Sequence, residues 1–71
     1  MSGRYADQLL RWFAFDHLPA DLQEISEPVA LLAHDMAERL PDSPELSAGL
    51  RKLLEAKDCL VRAAIDAREE S

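Results

Sequence analysis

The stretch ERLPDSPELSAGLRKLLEAKDCL, residues 38–60, decides the fold. Pro41 and Pro44 bracket a break, and the break carries its own start signal. Asp42 or Ser43 can cap free amides, Pro44 suits a first helical turn, and Glu45 follows Asp42 by three residues as in a capping box. Downstream, Leu46, Leu50, Leu53, Lys57, Leu60 and Ala64 fall at steps of 4, 3, 4, 3 and 4, the seam of a helix packed lengthwise on another. This third helix is expected over 44–69, roughly 39 Å at about 1.5 Å per residue.

Working back from the break, Leu22, Ile25, Val29, Leu32, Met36 and Leu40 repeat at steps of 3, 4, 3, 4 and 4, and predict a second helix over 20–40. Pro28 interrupts it. Proline lacks the amide donor and crowds the preceding turn, so the sequence allows either a kink near Glu24 to Pro28 or a restart capped by Ser26. The break at 41–44 is short enough only for an antiparallel return, which makes these two helices an αα-hairpin. A further segment, residues 5–15, is helix-compatible and holds every aromatic of the chain: Tyr5, Trp12, Phe13 and Phe15. Leu9, Leu10, Trp12 and Phe13 would share one side of it, forming an amphipathic lid. Pro19 then disfavours helical geometry at Leu18 and implies a turn over 16–19.

The expected architecture is therefore all-α and a single domain, a short aromatic N-terminal helix on a long antiparallel hairpin. Two helices and a lid do not enclose a core. Leu31, Leu54, Val61 and Ile65 lie outside the two seams, and a chain near 71 residues buries only about 60% of its unfolded surface. With Cys59 as the lone cysteine no internal disulfide exists, and no Cys/His set has metal-ligand spacing. Completion by homo-oligomerisation is the expected remedy.

Eight basic against fourteen acidic side chains give a net charge of −6, which repels DNA and anionic membranes. No apolar run approaches a membrane span and residues 1–5 lack a signal-peptide core, so a cytoplasmic location is expected. The charge is uneven. Residues 51–68 hold five basic and three acidic side chains, the only segment suited to an anion. Lys57 occupies a seam position between Leu53, Leu54, Leu60 and Val61, where its amine must snorkel out, pair with a carboxylate or receive an anionic ligand. Arg62 has Asp58 and Asp66 four residues to either side, and Arg51 has Glu55, so surface ion pairs are the first explanation for both, a ligand contact the second for Arg62. Lys52 and Arg68 have fewer local partners and are freer to meet a phosphate. His17 sits in the turn, and His34 suits a helix interface.

There is no glycine-rich phosphate loop, since the glycines are Gly3 and Gly49, and nothing constrains Cys59 beside a histidine. The chain is expected to be no enzyme and to need no cofactor. Aromatics beside a turn either plug the hairpin core or stack on a nucleobase, with Phe15 first and Trp12 second for the latter role.

The segments LRWFAFDHLP (10–19), Leu22-Gln23, Leu32-Ala33-His34, Leu40-Pro41, LRKLLEAKD (50–58) and Val61-Arg62-Ala63 together resemble a family of small phage-encoded helical-hairpin proteins that includes the anti-CBASS sponges. The likeness spans residues 9–65. It implies protomers interlocked into a compact homo-oligomer, a hexamer being one arrangement, in the cytoplasm of a bacterial host, with cyclic dinucleotides or trinucleotides sequestered between protomers. An aromatic ring would cover a base, Phe15 standing where the family often has tyrosine, and basic side chains would hold phosphates. With the residue readings above, the candidate binding set is Phe15, Trp12, His17, Lys52, Lys57, Arg62 and Arg68. A helical adaptor that binds another protein through the apolar surplus is the alternative.

Overall fold

The computed structural model describes the backbone of residues 4–70 and the side chains of 7–69. It contains three helices, α1 (Arg4–Arg11), α2 (Ala20–Arg39) and α3 (Pro44–Glu70), and no strand among the described residues. The long hairpin is present. Ser43, not Asp42, caps α3, its Oγ accepting from the Leu46 amide at 3.1 Å, and α2 closes with a Leu40 amide to Met36 carbonyl bond of 3.1 Å. At the open end Arg68 reaches Asp21 across 3.2 Å, so the two helices run together for nearly their full length in a body of 44 × 19 × 16 Å.

Pro28 neither splits nor restarts α2, which is continuous from Ala20 to Arg39. Ser26 caps nothing; it is fully buried and its Oγ has no hydrogen-bond partner. Pro28 and Glu24 are both exposed, so the carbonyl that Pro28 leaves unbonded stays on the solvent side, where water can serve it.

The first helix is shorter than expected. It stops at Arg11, and amides 12, 13 and 14 bond back three residues, to the carbonyls of Leu9, Leu10 and Arg11 at 3.1, 3.1 and 3.3 Å. Trp12, Phe13 and Phe15 therefore follow the helix, while the side chain of Tyr5 lies outside the described residues. Phe13 turns inward to 1% exposure and Trp12 outward to 63%, so the two do not share a face.

The largest correction concerns α2. Its buried row is Leu22, Ser26, Ala30, Ala33 and Ala37, at steps of 4, 4, 3 and 4, and of the expected seam only Leu22 is buried. Ile25, Leu32 and Leu40 are exposed. Small side chains let α1 and the Phe13 ring approach the helix backbone, and the core forms from Phe13, Ala30, Ala33 and Ala37 with Leu46 and Leu50 of α3. On α3, Leu46 and Leu50 behave as the seam predicts and Leu60 does not, whereas Leu54, Val61 and Ile65 are half-buried. The apolar surplus thus sits mainly on Leu31, Leu32, Leu40 and Leu60.

Candidate functional site

The C-terminal carbonyls of an eight-residue helix need partners, and α1 obtains one from far along the chain. Lys57 Nζ donates to the Trp12 carbonyl at 3.1 Å and lies 3.2 Å from Asp58 Oδ1, with its side chain 12% exposed. The stem follows the apolar face of α3 and the amine surfaces at the end of α1, a cation placed where a helix C-terminus favours one. Lys57 is thus held by a backbone carbonyl and its own neighbour, and not by a carboxylate of α2. From the other side, Gln23 Nε2 donates to the Leu18 carbonyl at 2.7 Å and to that of Asp16 at 3.4 Å. Residues 12–18 are fastened from two helices.

Between this segment and α3 lies a concavity of about 470 Å³ lined by Arg11, Trp12, Ala14, His17, Leu18, Lys57, Asp58, Val61 and Arg62. Four of the expected binding residues, Trp12, His17, Lys57 and Arg62, therefore meet. Arg62 forms neither of its expected ion pairs. Its Nη2 approaches Cys59 Sγ at 3.5 Å, a weak contact, and its charge has no carboxylate partner among the described residues. Arg11, which residue spacing alone does not single out, is likewise unpaired there; its place beside Trp12 in the last turn of α1 is the signal that points to it. The concavity gathers three basic side chains and a histidine against Asp58 in a chain of net charge −6.

The other three expected residues lie elsewhere. Phe15 is half-buried and packs against the core, because the turn directs its ring inward, so the outward ring is that of Trp12. Arg68 is engaged with Asp21. Lys52 is exposed on a separate groove between α2 and α3. His34, expected at a helix interface, is exposed and borders a third depression with Asp7, Leu10 and Glu38. The Arg51–Glu55 pair is not formed among the described residues.

Chemically, the concavity offers an exposed aromatic ring beside three basic side chains, a combination suited to an anion that carries a ring. Among the described residues no group of three or more His, Cys, Asp and Glu side chains could hold a metal ion, and no helix is long and apolar enough to cross a membrane. Compared with family models, curated proteins and solved structures, the chain matches none.

Proposed function

We propose that this protein is a non-catalytic, homo-oligomeric sponge that binds cyclic dinucleotides or trinucleotides and so silences CBASS-type antiphage signalling. One observation carries the proposal: an exposed Trp12 ring shares a concavity with Arg11, Lys57 and Arg62 in an otherwise acidic chain. Such ligands bring only two or three negative charges and planar bases, so they call for a local basic pocket and a stacking surface, not a basic protein. At about 470 Å³ the concavity falls within the usual range for small-molecule sites, about 300–1,000 Å³. Repetition by symmetry would multiply the cations around one ligand. Sequestration asks for no bond to be made or broken, only for free signal to fall.

The test is calorimetric titration against a panel of cyclic dinucleotides and trinucleotides, with recovery of intact ligand after the complex is heated. Trp12→Ala should cost about 1–3 kcal/mol of affinity, the stacking energy of one base. Arg62→Gln should weaken binding and flatten its salt dependence. Phe15→Ala, by contrast, should lower the melting temperature and leave intrinsic affinity intact. Silence across the whole panel at near-millimolar concentration would end the proposal and favour a helical adaptor, the alternative to which the exposed leucines of α2 point.

A further inference from the structure

On the face of the hairpin away from α1, α2 and α3 enclose an open apolar groove of about 740 Å³. Its α2 wall is Leu32, Met36 and Leu40, and its α3 wall carries Glu45, Gly49, Lys52 and Ala56, a single stripe at steps of 4, 3 and 4. Ile25 and Leu60, both exposed, continue the two walls at helical spacing.

Gly49 is the odd member. It stands inside a 27-residue helix, where glycine costs about 1 kcal/mol relative to alanine, yet a methyl group added there meets nothing within 4 Å. The chain's own packing gives no reason for it. Close approach of an outside backbone does, because a helix crossing at glycine comes nearer than any side chain permits.

The charges say which backbone. Glu45 and Lys52 flank Gly49 on the same stripe, seven residues or roughly 10.5 Å apart at about 1.5 Å per residue, and neither has an ion-pair partner among the described residues. A twofold axis beside Gly49 would set two antiparallel α3 helices against each other and bring Glu45 of each copy to Lys52 of the other. That is the self-complementarity an isologous contact demands, residue i meeting j while j meets i. An unrelated helix would have to supply the same spacing of opposite charges by chance.

We infer that the groove is the interface between two copies of this chain, α3 crossing α3 at Gly49 with the exposed leucines of α2 closing over the flanks. The inference deepens the homo-oligomeric part of the proposed function by naming the face that pairs, which shares no lining residue with the Trp12 concavity, and the contact requires no nucleotide.

Sedimentation of the ligand-free protein across micromolar concentrations tests it, with helicity recorded for each variant. The parent should sediment as a dimer or a multiple of one. Glu45→Lys and Lys52→Glu should each raise the dissociation constant on the order of tenfold, and the double reversal should restore it. Gly49→Ala should raise the melting temperature at the lowest concentrations, where single chains prevail, and weaken association. A monomeric parent, unchanged mass in both single reversals, or a double reversal no better than either would overturn the interface. A dimer that ignores every cyclic nucleotide would remove the proposed function and leave the interface standing, and a nucleotide-binding oligomer indifferent to the Glu45 and Lys52 reversals would do the reverse.

Discussion

The two faces of α2 carry the same helical spacing and opposite contents. One presents Ser26, Ala30, Ala33 and Ala37, and the chain closes over it with α1, the Phe13 ring and α3. The other presents Ile25, Leu32 and Leu40, and within the chain it stays open. The more hydrophobic face is not the one buried. What decides is approach: the close side must admit both an aromatic ring and a neighbouring helix, and alanine leaves room where leucine fills it. The comparison separates two jobs that sequence hydrophobicity alone merges, closing a fold and offering a surface.

Breaking the closed face should have the largest effect. Phe13 is the bulkiest side chain in the core at 1% exposure, and Phe13→Ala should destabilise by about 3–5 kcal/mol, a large share of a small domain's stability. Denaturant unfolding at low protein concentration checks it, and a loss near zero would mean that the closed face is not a packed core. Adjacent residues then sharpen the contrast. Ala33 has no exposed surface and Leu32 is 46% exposed. Ala33→Leu should cost about 1–3 kcal/mol through overpacking, whereas Leu32→Ala should stay within about 0.5 kcal/mol in the dissociated chain while loosening association. Equal effects at the two positions would erase the distinction between the faces. One change should run the other way, Ser26→Ala. With a buried hydroxyl that bonds to nothing, alanine should raise stability by about 1 kcal/mol, read as a higher melting temperature, and a lower one would mean that Ser26 Oγ has a partner.

Local chemistry made most of the hairpin legible. Pro41, Ser43 and Pro44 state where one helix ends and the next begins, and Leu46 and Leu50 sit where their spacing predicts. The buried face of α2 was not legible, because Ile25 and Leu32 outrank Ala30 and Ala33 on any hydropathy scale although both rows fit a helix. The end of α1 was misjudged for a related reason: periodicity cannot distinguish a continuing helix from a tightened turn that sends Phe13 and Trp12 to opposite sides. At the candidate site, Trp12, His17, Lys57 and Arg62 converge, yet the partner of Lys57 is a carbonyl 45 residues away, and Arg68 answers to Asp21 at the far end of the hairpin. Such pairings depend on the path of the backbone, which residue spacing does not encode.

The bond from Lys57 to Trp12 also sets an order of events during synthesis. The acceptor precedes its donor by 45 residues, an interval of roughly 2–9 s at about 5–20 residues per second. For most of that interval α1, at eight residues too short to persist alone, has neither the cation that fastens its end nor the α3 leucines that enclose Phe13. The segment that bears the Trp12 ring is translated early and becomes fixed late, so the candidate site is completed only when the second arm of the hairpin has emerged and docked.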